Sequence, residues 1–487
     1  MRSPLLVALL AGAATVFGFA PFGVFPIPVI TLALLFHLWR RTDSPRRAAW
    51  LGFAWGLGCF LAGVSWVYVS LHDVGGMAMP LAAVATLLFC GWLALFPALA
   101  GYLFRRAATT DFRAILLAAG LWALAEWLRG WMLTGFPWLA IGYSQTPPSP
   151  LAGYAPVVGV YGVGLLVAGV ASCLTFAGRK PLAWLAIGVV LAAGAGLRTV
   201  AWTQAAGRPV EASLLQGNIP QSLKWVPENL RLSMETYARL AAEHPAPVTV
   251  LPETAIPLLF DQIPPEFLAR LTAAGPVLMG AAIRSRAGGY VNGALVVTPE
   301  LSVTSYAKIH LVPFGEFVPP GFAWFFGLVN IPMSNFSAGT RQQQPLEIAD
   351  QRVMPNICYE DLFGEELLAA LSDATLLVNL SNTAWFGDSL AQPQHLQIAR
   401  MRALETGRMI LRATNTGMTA AIAPDGGVIA TLPPFTSGAL KVAAQGYSGL
   451  TPFGRLGNAM AVLAACLAVA MAVTRRRVNG RDGTGVN

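Results

Sequence analysis

The sequence predicts a helical membrane domain of eight spans joined to an α/β layered domain, and three observations carry that prediction. Of 487 residues, 55% are hydrophobic and only 11% charged, against roughly a quarter charged in soluble domains. Apolar runs near the length that crosses a bilayer, about 20 residues each, fill positions 5–197 and return once at 458–473. Between them, short β-type runs alternate with helical stretches, the pattern of a layered α/β fold.

From Leu5 to Trp39 no Asp, Glu, Lys or Arg occurs, so this stretch holds two short spans, with Pro21, Gly23, Pro26 and Pro28 marking the turn between them. The apolar pattern resumes at once and no clear small-residue cleavage site ends the first run, so a retained span is expected rather than a cleaved leader. Further spans are expected from Ala48 to Leu71, Met79 to Phe104, Ile115 to Leu128, Val157 to Phe176, Pro181 to Leu197 and Asn458 to Val473. The domain plan is therefore a membrane domain of seven helices over 1–198, an extracytoplasmic domain over 199–455, an eighth helix over 456–474 and a cytoplasmic tail over 475–487.

Basic residues in short loops stay cytoplasmic. Arg2, the Arg40, Arg41, Arg46 and Arg47 group, Arg105 with Arg106, Arg179 with Lys180, and Arg475 to Arg477 all fall on one side if eight spans alternate. Both termini are then cytoplasmic, and the 199–455 segment faces the periplasm in a two-membrane cell. The net charge of +8 does not mark a nucleic-acid partner, because these arginines sit beside apolar runs where they orient the chain. Arg129 alone lies on the outer side. Glu126, one turn before it, permits an ion pair on one helix face, and Trp122, Trp127, Trp131 and Trp138 suit an interfacial belt.

Four of the five cysteines, Cys59, Cys90, Cys173 and Cys466, fall inside apolar runs. Cys358 is the one thiol of the outer segment, and no pair has C-x-x-C spacing. In that segment strands are expected at Val210 to Leu215, Val248 to Leu251, Val277 to Ile283, Ala294 to Val297, Thr375 to Leu380, Met409 to Ala413 and Thr419 to Ala423. Helices are expected at Glu228 to Ala242, Pro265 to Ala273, Gly364 to Leu371 and Pro393 to Thr406.

Three strand-end motifs could carry chemistry. Leu251-Pro252-Glu253-Thr254 ends an apolar strand with a carboxylate, which burial forces into a partnership or a raised pKa. Tyr306-Ala307-Lys308 ends another with an ammonium, and Glu316 follows in a loop bounded by Pro and Gly. Asn356-Ile357-Cys358-Tyr359-Glu360 places a thiol between a short strand and a helical stretch. A thiol of pKa about 8.5 is a poor nucleophile near neutrality without a base or a cation beside it. Glu253 can take the proton, and Lys308 can balance the thiolate and then the tetrahedral oxyanion.

These motifs resemble the Glu-Lys-Cys triad of the nitrilase superfamily, and the whole chain resembles the bacterial apolipoprotein N-acyltransferases. The likeness includes the Leu215 to Gln221 run with Lys224-Trp225, the Lys308 to Pro319 block, Ile357 to Glu360 and Ser381 to Gly387. In the membrane part it includes Glu126 to Trp131 and Thr134 to Trp138. Thr383 stands where that family's pattern has an often-varied Asp. The resemblance implies an αββα sandwich for the outer domain. It implies Glu253 as base, Lys308 as oxyanion cation and Cys358 as nucleophile, supporting roles for Glu316, Tyr359 and Glu360, and substrate contacts for Trp225, Asn382 and Trp385. It further implies ping-pong transfer of an acyl chain from a phospholipid to the N-terminal amine of a diacylated apolipoprotein at the bacterial inner membrane, with the bilayer as a partner, no nucleic acid, and a monomeric chain.

The run from Phe317 to Ser337 is uncharged and rich in aromatics, among them Phe322, Trp324, Phe325 and Phe326. Such surface either packs inward or dips into the bilayer as a lid. No H-E-x-x-H, Walker loop or histidine cluster occurs; His37, His72, His244, His310 and His395 are scattered. No metal or organic cofactor is expected. His310 is expected to make a structural hydrogen bond and His395 to pack or cap a helix. The same triad serves amide hydrolases, with water replacing the amine, so a membrane-tethered amidase is the alternative. A transporter would place ionisable groups deep in the spans, where Glu126 is nearly alone.

Overall fold

Alternating apolar residues in the segment after Val200 do what a period of two requires, burying one strand face against a second sheet and the other against helices. A computed structural model of the chain describes residues 4–107, 112–177, 180–221, 227–285, 288–322 and 335–473. By contacts the chain divides into two compact units, Met1–Ser65 with Val84–Val200 and Leu456–Asn487, and Trp66–Ala83 with Ala201–Arg455.

In the first unit each apolar run becomes a helix: α1 (Pro4–Thr15), α2 (Pro26–Arg41), α3 (Pro45–Val64), α4 (Met79–Ala107), α5 (Phe112–Arg129), α6 (Ala155–Ala177), α7 (Pro181–Leu197) and, late in the chain, α11 (Ala459–Val473). Proline stands in the first turn of α2, α3 and α7, where its missing N–H costs nothing. Among the described residues three stretches, Pro45–Val64, Met79–Ala107 and Pro150–Ala177, are long and apolar enough to cross a membrane, and Pro4–Gly18, Pro181–Leu197 and Ala459–Val473 are shorter apolar helices. Small residues let α1 and α3 touch closely, since a Cβ at Gly12 would collide with the Trp55 carbonyl, the packing expected where no hydrophobic effect drives helices together. The run expected from Ala48 to Leu71 ends as a helix at Val64; a short turn at Val67–Val69 and a wider one at Ser70–Val74 follow.

Glu126 and Arg129 are both buried, at 6% and 3% exposure, and their charged atoms turn to the backbone after α5. Glu126 Oε1 accepts from the Ile141 N–H at 2.8 Å, and Arg129 Nη1 donates to the carbonyls of Phe136 and Trp138. They staple the loop leaving the helix instead of forming a surface pair. Trp122 and Trp138 are buried and only Trp131 is well exposed, so these indoles do not form one belt.

The second unit contains two six-stranded mixed sheets, in the order β12-β1-β2-β3-β4-β5 and β11-β10-β9-β8-β7-β6. The strands are β1 (Gln204–Gln216), β2 (Val248–Val250), β3 (Val277–Arg284), β4 (Tyr290–Val297), β5 (Val303–Ala307), β6 (Leu346–Ile348), β7 (Gln351–Ile357), β8 (Leu376–Ser381), β9 (Ile410–Thr414), β10 (Ala420–Ile422), β11 (Val428–Thr431) and β12 (Gly438–Ser448). In each sheet a parallel trio, β1-β2-β3 or β7-β8-β9, forms the centre and antiparallel strands the edges. Ala212, Leu214, Val250, Leu278 and Val296 of the first sheet meet Val353, Leu376, Val378 and Leu411 of the second in one buried core. Helices α8 (Pro227–Glu243) and α9 (Pro265–Leu271) cover the outer face of the first sheet through Tyr237, Phe267 and Leu268. Helix α10 (Ala391–Thr406) adds Leu396, Ala399 and Ala403 to the core on the second sheet. The result is the expected αββα sandwich.

Strand β1 begins six residues before the expected Val210, because its pairing with β12 shifts register between Ala206 and Val210 and so absorbs Gly207 and Pro209. The helix expected from Gly364 to Leu371 is a 3-10 turn over Glu366–Ala370. Residues Trp66–Ala83 pack with this unit, the Trp66 ring lying 4.5 Å from Phe386 and the Ser70 hydroxyl donating to the Trp385 carbonyl at 2.8 Å. Leu411→Ala, at 1% exposure between the sheets, should cost about 2–5 kcal/mol, read as a lowered thermal midpoint in detergent; an unchanged midpoint would show that the inter-sheet core is not closely packed there.

Candidate active site

Strands β2, β5 and β7 end at one locus, and side chains just beyond them converge there. Glu253 follows β2 after Leu251-Pro252, and β3 passes close beneath this turn: the Gly280 N–H reaches the Pro252 carbonyl at 3.3 Å, and a Cβ at Gly280 would meet the Glu253 Cα. Lys308 follows β5, its N–H donating to the Asn292 carbonyl of β4 at 2.8 Å. Cys358 follows β7 as the first residue of a 3-10 turn over Cys358–Leu362, with a left-handed φ of 52°.

Lys308 is fully buried. Its Nζ lies 2.9 Å from Glu316 Oε2 and 3.4 Å from Glu253 Oε1. The Asn292 side-chain amide donates to both carboxylates, to Glu253 Oε1 and Glu316 Oε1 at 2.7 Å each. Glu253 Oε2 accepts the Asn382 backbone N–H at 3.0 Å, and Glu316 Oε2 accepts that of Val312 at 2.8 Å. One ammonium and one amide thus hold two carboxylates in fixed geometry, as buried charges require.

Cys358 is 8% exposed. Burial pushes its thiol pKa up, the Glu253 carboxylate adds to that, and the Lys308 ammonium and Asn382 N–H pull back without cancelling it. The resting sulfur is therefore protonated near neutrality, and any nucleophilic role for it requires a base to take its proton. For Lys308 burial would favour the neutral amine, but Glu316 and Glu253 outweigh it and hold the pKa above the ordinary lysine value.

Glu360 braces the turn. Its Oε1 accepts from the Tyr306 hydroxyl at 3.0 Å and the Ile309 and His310 N–H groups at 2.6 and 3.2 Å, and its Oε2 accepts from the Ile357 N–H at 2.7 Å. Burial raises its pKa to about 7, against the pull of Lys308 and of those backbone donors. It ties the strand end before Cys358 to the strand end carrying Lys308.

Glu253, Lys308, Glu316, Cys358, Glu360 and the Asn382 backbone therefore share one locus. The Asn382 side chain is engaged elsewhere, donating to Gln221 Oε1 at 2.8 Å and accepting from Asn415 Nδ2 at 3.2 Å. The Tyr359 ring packs edge-on to Phe363 and His310. Trp385 is half-buried in the turn after β8. Trp225 lies outside the described residues, as do 323–334 of the expected lid; of that run Phe322 is exposed and meets Phe314 edge to face. His310 makes a structural contact, to Glu366 at 3.0 Å, and stacks on Phe363. His395 packs, buried within α10, and touches the Cys358 carbonyl.

Sequence reasoning missed Asn292, Tyr306 and a buried set of Asn379, His395 and Arg412. The available signal was a polar residue inside an apolar strand, Asn292 in β4, Asn379 in β8 and Arg412 in β9, which must find partners when buried.

A family model described as the apolipoprotein N-acyltransferase N-terminal domain matches residues 11–174, and one for carbon-nitrogen hydrolases matches 211–451. The chain is 51% identical over 473 residues to an apolipoprotein N-acyltransferase of Nitrosomonas europaea, covering 94% of each chain. It is 48% identical over 491 residues to one of Ralstonia nicotianae, covering 97% of this chain and 94% of that one. Among solved structures, an amidase of the nitrilase superfamily from Nesterenkonia aligns at 20% identity with a TM-score of 0.36, over 49% of this chain and 91% of that one.

Because Glu253 helps hold the Cys358 thiol in its protonated form, Glu253→Gln should move the pH profile of Cys358 alkylation by iodoacetamide toward acid. In the native chain the rate should still be rising at about pH 9, above the ordinary thiol pKa. Coincident profiles would show that the two groups do not sense each other.

Proposed function

The chain belongs to the apolipoprotein N-acyltransferase family, and from that premise we propose that it moves an acyl chain from a phospholipid to the N-terminal amine of a diacylated apolipoprotein through a thioester on Cys358. The observation that carries this reading is that Glu253, Lys308 and Cys358 follow β2, β5 and β7 into one buried locus, where Lys308 pairs with Glu253 and Glu316 and both Lys308 and Glu253 act on the Cys358 thiol.

In the first half-reaction the sulfur attacks the ester carbonyl while Glu253 takes its proton. Oxygen charge develops near Lys308, where one well-placed donor is worth about 3 kcal/mol. Collapse breaks the ester C–O bond, the proton passes to the leaving alkoxide, and a lysophospholipid departs. In the second half the acceptor amine attacks the thioester, Glu253 takes the amine proton, an amide forms, and the proton returns to the sulfur. Glu253 thus acts as base twice per turnover, on the thiol in the first half and on the amine in the second. Glu316 and Asn292 hold that base and the cation in register. We assign Tyr359 and Glu360 to the support of the turn, and substrate contacts to Asn382, Trp225 and Trp385.

This is a membrane protein with several apolar helices. We assign all eight apolar helices as spans, with 1–198 and 456–474 forming the membrane domain, 199–455 the catalytic domain on the periplasmic face, and 475–487 a cytoplasmic tail at the inner membrane. The arginine clusters beside α2, α3 and α4 support this orientation. A phospholipid donor suits such a chain better than a small soluble amide does.

Intact mass of the protein purified from membranes tests the reading. The native chain should carry a fatty-acyl increment that hydroxylamine removes, and Cys358→Ala should carry none. Glu253→Gln should slow its appearance by about 10²–10⁴-fold. An increment that persists in Cys358→Ala would overturn the assignment of the nucleophile.

A further inference from the structure

Behind Cys358, on the face of the second sheet, lies a buried polar cluster that the acyl-transfer steps leave without a role. Arg412 of β9 is 1% exposed. Its Nη1 donates to Asn379 Oδ1 at 2.7 Å and Asp361 Oδ2 at 3.1 Å, and its Nη2 lies 3.0 Å from His395 Nδ1. Asn379 Nδ2 donates in turn to Asn356 Oδ1, and the Ser381 hydroxyl donates to Asn379 Oδ1. On the other edge of the imidazole, His395 Nε2 lies 3.2 Å from the Cys358 carbonyl oxygen and 3.7 Å from Asp361 Oδ2.

This arrangement settles which nitrogen carries the proton. A guanidinium has donors and no acceptor, so Nδ1 must accept from Arg412. The ring hydrogen is then on Nε2, which donates to the Cys358 carbonyl. Burial and the Arg412 charge both push the His395 pKa well down, so the ring stays neutral and keeps this tautomer.

The bond matters because of what it holds. Cys358 sits at a φ of 52°, a region that a residue with a Cβ occupies only where its surroundings over-determine it. One residue upstream of the thiol, the Ile357 N–H is tethered to Glu360. The Cys358 carbonyl is tethered by His395. The dihedrals between those two tethers set the direction of the Cα–Cβ bond and hence of the sulfur.

We propose that His395 is a positioning residue for acyl transfer: its Nε2–H, locked in place by Arg412, grips the Cys358 carbonyl and keeps the sulfur aimed at Glu253 and Lys308. This rests on the thioester reading above. It concerns thioester formation and not lipid binding, so it predicts a fall in the rate at saturating phospholipid with no change in the concentration needed for saturation.

The test is rapid-quench intact mass of the full-length protein in phospholipid-containing micelles, comparing the native chain with His395→Asn and His395→Gln. Asparagine keeps an acceptor for Arg412 near the Nδ1 position and has no donor that reaches the carbonyl. Glutamine is long enough to place an amide N–H where Nε2 stood. The Asn variant should acylate about tenfold more slowly, the size of one lost hydrogen bond, with KM for phospholipid unchanged, and the Gln variant should stay within about threefold of native. Native-rate acylation in His395→Asn would overturn the proposal, as would a tenfold loss in a Gln variant that melts like the native chain. If the Asn variant does not fold, the Gln variant alone decides by the same measure. A native chain that forms no thioester at all sinks the thioester reading instead, a result distinct from a native chain that acylates and an Asn variant that keeps pace with it.

Discussion

The rest of the site depends on one buried ammonium. Lys308 has no exposed surface and stands between two carboxylates that Asn292 bridges from the other side. Two carboxylates this close repel each other, and the cation between them offsets that repulsion. Lys308 is that cation, and it fixes Glu253 in the position from which a base would act. Removing one partner of such a buried pair costs about 3–5 kcal/mol, because the survivor is left uncompensated, so the chemistry and the stability of this corner rest on the same contacts.

The fold supplies the positions. Strands of the first sheet deliver Glu253 and Lys308, and a strand of the second delivers Cys358, so the reactive groups come from two sheets whose faces share one core. Cross-ties hold the two sheet ends in register. Glu360 of the second binds the backbone at Ile309 and His310 of the first, and Asn382, after β8, donates its N–H to Glu253. The Gln216 to Gln221 stretch adds another tie, for Asn415 exchanges two hydrogen bonds with Ile219 and a third with Asn382. These long-range bonds place a base and a thiol together without relying on a mobile loop.

Much of this was legible in the residues because chemistry at strand ends leaves a local mark. Glu253 and Cys358 each follow a mostly apolar strand, and Lys308 follows the β-type run from Val303 to Ala307. Asn292 escaped because β4 was expected to begin at Ala294, which left the asparagine in a loop; its strand is set by pairing with β3 and β5. Strands β6, β11 and β12 escaped for a related reason, since β12 carries glycines and polar residues and owes its shape to ten paired positions along β1. His395 of α10 and Arg412 of β9 are seventeen residues apart in sequence, and only the packing of α10 on the second sheet brings them together and sets His395 against the Cys358 carbonyl. In the membrane part the helices follow from hydropathy alone, whereas the buried stapling role of Glu126 and Arg129 depends on the loop that folds back over α5.

The most direct test of this charge arrangement is the rate of Cys358 acylation by phospholipid in the double variant Lys308→Met/Glu316→Gln. That pair of changes removes the cation and the carboxylate nearest to it together, so the formal charge of the site is unchanged, and Glu253 keeps its hydrogen bonds from the Asn292 amide and the Asn382 N–H. If the ammonium stabilises the developing oxyanion, the variant should fold, bind phospholipid and acylate at least about 10²-fold more slowly than the native chain. A folded double variant that acylates at the native rate would contradict it.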